Sequence, residues 1–314
     1  MTIYILRRLA FLGLTLLLTS LLIFIITQLL PGNVCRVILG REVGQAALNA
    51  CRVDLGLDQP PYVRYLTWLG DFLRGDWGNS YSTDAEIRPL VTGRLGNSLM
   101  LAGFTMLVGV PVAVALGVIA ALNEGRVLDN LISVAALAVV GLPEFVTGIF
   151  LIQILAFRLG LPANSSIRES AGFFEALPSL ILPALTATFV LLAYVARLTR
   201  AGVLQELKQA YVRTAELKGL PRRTVILKHV LRNALLPTIT VVAISFGWLI
   251  SGLVVIENVF NYPGLGRLMV FAITRRDLPL LQAISLVAVL GFALANLAAD
   301  LLYAALNPRI RVGQ

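Results

Sequence analysis

Leu9-Ala10-Phe11-Leu12-Gly13-Leu14-Thr15-Leu16-Leu17-Leu18-Thr19-Ser20-Leu21-Leu22-Ile23-Phe24-Ile25-Ile26-Thr27-Gln28-Leu29-Leu30 contains no charged residue, follows Arg7-Arg8 and is closed by Pro31-Gly32. A helix needs about 20 mostly apolar residues to cross about 30 Å of hydrocarbon, so this run reads as a transmembrane helix. A cleaved signal peptide would carry a shorter apolar core and a small-x-small processing site. Neither is present, and the segment is expected to be a retained first span. The same two features argue against a twin-arginine export signal.

The remainder of the chain agrees with that reading. Of 314 residues 58% are hydrophobic and 14% charged, with mean hydropathy +0.84, whereas a soluble domain is about 25% charged. Further apolar stretches run over 98–122, 131–157, 177–196, 237–256 and 278–306. The expected fold class is therefore an all-α polytopic membrane protein with six spans. Gly109, Pro111, Gly117, Pro143 and Pro183 fall inside these stretches, as membrane helices allow when neighbours satisfy the freed backbone groups. The domain reading is a stub and first helix over 1–30, an extracytoplasmic segment over 31–97, five helices over 98–306 with a loop at 197–236, and a tail at 307–314.

Several function classes drop out early. One histidine, His229, and two cysteines, Cys35 and Cys51, cannot build the usual Cys/His zinc or haem sites. None of the three lysines closes a phosphate-binding G-x-x-x-x-G-K-[ST] run, so nucleotide hydrolysis by that route is excluded. No metal site and no catalytic residue is expected.

Orientation follows from Lys and Arg in the short loops. With the N-terminus inside, the inner side carries fourteen of these residues and the two short outer loops carry five. Both termini are therefore expected in the cytoplasm. The outer segment 31–97 holds seven arginines and seven acids. Its run Tyr62, Tyr65, Leu66, Leu69 and Phe72 has helical spacing, which predicts a small helical cap.

The inner loop between spans four and five is the most informative stretch. From Arg197 to Arg232 it carries nine basic residues against Glu206 and Glu216. A helix is predicted from Leu204 to Lys218, with Leu204, Leu207, Tyr211 and Ala215 on one face. Gly219 then suits the left-handed position after a helix, and Pro221 the first position of the next. That second helix places Leu227, Val230, Leu231, Ala234 and Leu235 on one arc, opposite Arg222, Arg223, Lys228, His229 and Arg232. Such a loop can serve orientation alone. The small residues Thr214 and Ala215 ahead of Gly219 favour instead a surface that sinks into a partner's groove. Nucleic acid is disfavoured, because no fold module or interleaved aromatics accompany the charge.

Tyr211-Val212-Arg213-Thr214-Ala215-x-x-x-Gly219, followed by Lys228-His229-x-Leu231-Arg232-Asn233-Ala234-Leu235-x-Pro237, resembles the "EAA" loop of permease subunits of binding-protein-dependent ABC importers, in the dipeptide, oligopeptide and nickel variant. Arg213-Thr214-Ala215 stands where the general pattern has Glu-Ala-Ala. Leu30-Pro31-Gly32, Leu55-Gly56-Leu57-Asp58-Gln59-Pro60, Gly75-Asp76-Trp77-Gly78-x-Ser80, Glu257-x-Val259-Phe260-x-Tyr262-Pro263-Gly264-Leu265-Gly266-Arg267 and Asn307-Pro308-Arg309-Ile310-Arg311 extend the likeness along nearly the whole chain, as a B-type subunit. Asn33 and Glu144 depart from the family pattern.

The resemblance implies the type I permease fold in a bacterial inner membrane. It also implies an alternating-access pathway formed with a paralogous permease, two ATPase subunits that bind ATP and Mg and dock on the loop, and an extracytoplasmic solute-binding protein. This chain would bind no cofactor and be no enzyme. Tyr211, Arg213, Thr214, Ala215, Gly219 and Pro221 would form the ATPase-coupling loop. Di- or oligopeptides are the expected solutes, with nickel chelates, glutathione or opine-like solutes as alternatives. An ion-driven secondary transporter is a more distant alternative, since such proteins tend to show inverted repeats and several intramembrane carboxylates.

Individual residues carry narrower expectations. Glu144 falls near the middle of the third span beside Pro143, so it should face the bundle interior or a wet path. It either lines the pathway, attracting a cationic group, or is hydrogen-bonded to a partner chain or protonated in place. Glu257 and Asp300 fall at span ends, which are wet. Glu257, Asn258, Pro263 and Gly264 are candidates for the outer loop that meets the binding protein, and Asp300 for pairing with a nearby arginine such as Arg309 or with headgroup water. Cys35 and Cys51, both placed outside, could be bridged or free.

Overall fold

The structure is a computed structural model and describes residues 2–29, 34–40, 42–165 and 173–306. Leu30-Pro31-Gly32, Asn33, Arg168 and the 307–314 tail with Arg309 lie outside the described residues. Among the described residues five helices are long and apolar enough to cross a membrane, or six if one sharply bent pair counts as a span. The chain divides into two compact units, 1–98 with 263–293 and 99–262 with 294–314.

In the first unit α1 (Thr2–Leu29) is followed by three short helices, α2 (Val34–Leu39), α3 (Gln45–Asp54) and α4 (Pro61–Arg74), and by the start of α5 (Ile87–Leu122). Cys35 and Cys51 are joined by a disulfide that, with Leu48, makes a small core under α2 and α3. The amphipathic run on α4 is present, but only part of it faces inward. Tyr65, Trp68 and Phe72 stack in series from Phe24 of α1 to Trp77, while Tyr62 and Leu66 are exposed. The Tyr65 hydroxyl and Ser20 Oγ lie 2.8 Å apart. The later part of this unit, α14 (Leu265–Arg275) and the start of α15 (Leu278–Leu306), packs Leu265, Leu268, Leu280 and Ile284 around Ile87 and Val91. Between those helices Asp277 is buried and accepts bonds from Ser80 Oγ (2.6 Å), Ser82 Oγ (2.7 Å) and the Ser82 amide (3.0 Å). Hydrogen-bonded burial of a carboxylate of this kind ties the turn at Ser80 and Ser82 to the α14–α15 corner.

The second unit holds the rest of α5, α6 (Val127–Gly141), α7 (Glu144–Leu151), a π-helical segment π1 (Ile152–Ala156) and α8 (Phe157–Leu159). Then come α9 (Phe173–Leu207), α10 (Ala210–Leu217), α11 (Arg222–Thr224), a second π segment π2 (Val225–Val230), α12 (Leu231–Gly252) and α13 (Val254–Val259). Its core gathers Leu101, Leu180, Leu182, Leu249, Leu253 and Phe260. Gly117 and Gly202 let helices approach closely: an added Cβ would sit 2.5 Å from the Ala196 carbonyl oxygen and 2.6 Å from that of Ala234, respectively. Small residues at crossings are the usual membrane solution, because lipid offers no hydrophobic drive for helix association.

The third predicted span is corrected. The stretch 131–157 is no single helix: α6 ends at Gly141, and the α7–α8 segment leaves it at 107°. Leu142 (ψ 130°) and Pro143 (ψ 141°) are both extended. A residue before proline is driven out of the helical region by the ring, and Pro143 supplies no amide to bridge the break. Pro111, Pro178, Pro183 and Pro237, in contrast, sit inside continuous helices.

Candidate functional site

The loop between α9 and α12 is built on one apolar cluster. Ala121, Val203, Val212, Ala215, Val225, Val230 and Ala234 pack together. The predicted continuous helix from Leu204 to Lys218 is corrected, since α9 ends at Leu207 and Gln209 is extended (ψ 146°) before α10 begins. That turn swings Val212 and Ala215 into the cluster. Ala215 is thus an inward packing residue and not part of an exposed small surface. Exposure falls on Arg213, Thr214, Leu217 and Leu220, with Leu217 81% exposed. Gly219 has φ +77° and open space around it, as expected of a residue just past a helix.

Pro221 caps α11 from outside at ψ 138° instead of occupying its first turn. The second helix then continues without a break into α12, through π2. A π turn inserts an extra residue, so the buried positions are Val225, Val230 and Ala234 while Leu227 is 56% exposed. The predicted arc containing Leu227 is corrected accordingly. Tyr211 ties the two halves of the loop: its hydroxyl donates to Glu206 and accepts from Asn233 Nδ2 at 3.2 Å. Burial, and then the Glu206 bond, raises the Tyr211 phenol above its ordinary value. The carbonyl of His229 lies 3.5 Å from the same hydroxyl.

A charge pair that the sequence reading missed stands next to this loop. Asp129, in the first turn of α6, accepts Arg200 Nε at 2.6 Å and Nη2 at 2.7 Å, and also the Gly125 amide at 3.0 Å. Asp129 is 2% exposed. Arg200, counted among the loop's free basic residues, is therefore neutralised inside α9. The signal was available as an acid just inside a span opposite a basic loop, but pairing across 71 positions is not readable from one sequence.

Glu144 opens α7 immediately after the bend and is half-buried. It lines a cavity of 830 Å³ together with Pro143, Tyr194, Ile244, Ser245 and Trp248, and is the sole charged residue in that lining. The walls come from α6, α7, α9, α12 and α13. Tyr194, Ile244 and Phe145 remain 52%, 49% and 49% exposed, so the cavity is open on one side of the chain.

Glu257 is corrected from a wet span end to a buried position, 1% exposed on α13. Asn258 is exposed and donates to the Val254 carbonyl at 2.7 Å. Tyr262 is fully buried, and burial raises its phenol. Within the first unit the Pro263 carbonyl accepts Asn97 Nδ2 at 2.9 Å, and Gly264 caps α14. Asp300 is half-buried on α15, while its expected partner Arg309 is outside the described residues.

Residues 113–312 match the family model described as binding-protein-dependent transport system inner membrane component, and residues 1–102 match the model of the N-terminal part of such components. The chain is 38% identical over 309 residues, 98% of each chain, to the glutathione transport system permease protein GsiC of Shigella flexneri serotype 5b. The same identity and coverage hold for the proteins of that name from Escherichia coli strain K12 and Salmonella paratyphi A.

Proposed function

Because the chain belongs to the family of binding-protein-dependent transport system inner membrane components, we propose that it forms one half of an ATP-driven import pathway for peptides or peptide-like solutes. The observation that carries this reading is the half-open 830 Å³ cavity with Glu144 as its one charged lining residue. Its size falls within the roughly 300–1,000 Å³ of small-molecule sites. A carboxylate on an open face does not tolerate lipid tails, so that face calls for water and a second protein. A paralogous permease closes the cavity in this reading.

The sidedness is part of the proposal. The Cys35–Cys51 disulfide belongs in an oxidising compartment, which agrees with an outer 31–97 segment and a cytoplasmic α10–α11 loop. There Arg213, Thr214, Gly219 and the exposed Leu217 and Leu220 would meet ATPase subunits. Hydrolysis belongs to those subunits, and this chain converts their closure into a change of access, by making different contacts in two states. Glutathione enters as a solute through the name of the relatives. Glutathione and ordinary di- and tripeptides share a protonated amine, which Glu144 would attract.

The test is uptake by the reconstituted complex with its binding protein. Glu144→Gln should reduce transport of amine-bearing peptides by about tenfold or more relative to N-acetylated analogues, as expected for loss of a charge-assisted bond worth about 1.5–3 kcal/mol. Equal transport of both solute types by the native protein and the variant would remove Glu144 from the pathway.

A further inference from the structure

A separate cavity, of about 370 Å³, lies within the first unit. Its lining takes Gln28 from near the end of α1, Leu278 and Gln282 from the start of α15, and Arg64, Trp68 and Asp71 from α4. Asp54, the last residue of α3, and Tyr81 also line it. Because α1 and α15 carry the apolar runs 9–30 and 278–306, the cavity stands where hydrocarbon gives way to headgroups, on the side of the segment 31–97. Trp68 suits that depth, since indole rings collect at the membrane–water boundary.

Two donors in the lining are unused. Neither the Arg64 guanidinium nor the Tyr81 hydroxyl has a hydrogen bond or ion pair among the described residues, and the two groups are close enough to act on each other electrostatically. Burial lowers the Arg64 guanidinium from its ordinary value and raises the Tyr81 phenol. A partly desolvated cation without a counter-ion is unfavourable. A guanidinium beside a hydroxyl matches an oxyanion such as a phosphodiester.

Acceptors are available in the same lining. Thr27 Oγ1 donates to the Phe24 carbonyl at 2.8 Å, so its one proton is used and the Gln282 amide must be the donor in the 2.7 Å bond between Gln282 Nε2 and Thr27 Oγ1. Gln282 is 6% exposed. Its carboxamide is thereby fixed with Nε2 toward α1, and Oε1 is left with no donor among the described residues. Asp71 meets Arg74 at 3.3 Å, an exposed pair worth little, and Asp54 is exposed. One cation therefore stands among two carboxylates and a free amide oxygen.

We propose that this cavity binds the headgroup of a phospholipid bearing a primary amine, in the leaflet next to the segment 31–97, with the phosphodiester on Arg64 and Tyr81 and the ammonium on Gln282 Oε1 and the Asp54 and Asp71 carboxylates. That leaflet is the outer one in the sidedness proposed above, and the site itself does not depend on the import reading. A free zwitterion such as a dipeptide offers the same two charges, but the ends of α1 and α15 place the cavity at headgroup depth. The two acids set the preference, because they repel a headgroup that is only anionic.

Native mass spectrometry of the assembled importer tests it. The complex is stripped of lipid in detergent and titrated with short-chain phosphatidylethanolamine or phosphatidylglycerol, without solute or nucleotide. Phosphatidylethanolamine should bind about tenfold more tightly or better, and Arg64→Gln should weaken it by about tenfold or more, as expected for loss of a charge-assisted hydrogen bond. Arg64→Lys should restore part of that affinity, which a purely packing role would not. Tyr81→Phe should weaken binding too, and serves as the second variant if Arg64→Gln does not assemble. Asp54→Asn combined with Asp71→Asn should bring phosphatidylglycerol level with phosphatidylethanolamine.

Unchanged phosphatidylethanolamine affinity in Arg64→Gln and Tyr81→Phe, or a preference of the native complex for phosphatidylglycerol, would overturn the proposal. Competition separates the two sources of a zwitterion. Glycerophosphoethanolamine should displace the lipid at concentrations where alanylalanine does not, and displacement by the dipeptide alone would overturn the lipid assignment. No solute moves in this assay, so its failure leaves the pathway reading standing, and that reading fails separately, in the Glu144→Gln uptake measurement.

Discussion

Replacing Gly202 with alanine adds one carbon where α9 crosses α12. An ideal Cβ there lies 2.6 Å from the Ala234 carbonyl oxygen. Ordinary contact begins near 3.4 Å, so the helices must part by about 0.8 Å, or the α12 backbone must shift by as much. The obstacle is backbone, which cannot swing aside as a side chain does. Overpacking of this kind costs about 1–3 kcal/mol, and alanine's better helix propensity returns only about 0.5–1 kcal/mol. The propensity gain can be isolated at Gly103, an exposed position inside α5 with nothing within 4 Å of its would-be Cβ. Gly103→Ala is expected to be neutral or slightly stabilising. Unfolding of the assembled complex in detergent, followed by SDS titration, should place the Gly202→Ala midpoint below the native protein and Gly103→Ala at or above it. Equal midpoints for the two variants would refute the close-packing argument.

Breaking the Asp129–Arg200 pair should be asymmetric. Arg200→Met leaves a carboxylate that is 2% exposed with the Gly125 amide as its main remaining donor, and is expected to cost about 3 kcal/mol, near the low end for a broken buried pair because Arg200 stands 29% exposed at the edge of the unit. Asp129→Asn leaves that more exposed arginine and should cost less than half as much; the reverse order in the same SDS titration would show that Asp129 is solvated. A Cβ added at Gly219 meets no atom within 4 Å, but Gly219→Val requires a side chain at φ +77°, a local strain of about 1–2 kcal/mol. The variant should assemble in the membrane yet lose ATP-driven uptake. A Thr214→Cys cross-link to the ATPase subunit, present in the native background and lost in Gly219→Val, is the direct measurement, and retention of both cross-link and uptake would remove Gly219 from coupling.

Much of the architecture was legible because it depends on local composition. Apolar runs such as 9–30, which is uncharged, and 278–306, interrupted only by Asp300, must be helices wherever hydrocarbon surrounds them, since every backbone group has to be satisfied within the segment. Gly219 at a left-handed position and the break before α11 follow from residue type alone. The loop motif singled out Tyr211, Arg213 and Thr214, which lie on α10. Periodicity placed Ala215 with the apolar face of Leu204 and Leu207, but it cannot register an extended residue such as Gln209 or the extra residue of π2, and those two features decide that Val212 turns inward and Leu227 outward.

What only the tertiary structure decided is set by partners far apart in the chain. Arg200 looked like one more loop cation until Asp129 was placed beside it. Glu257 read as a wet span end and is buried, while Glu144 stands at a bend instead of mid-helix because Leu142 and Pro143 are both extended. The apolar runs alone determined that the chain crosses a membrane, since transfer into hydrocarbon depends on composition summed along a helix. Which polar groups are satisfied, and which face an open cavity, depends on the approach of helices such as α9 and α12 at Gly202. That approach is fixed by packing across the unit, and no single segment encodes it.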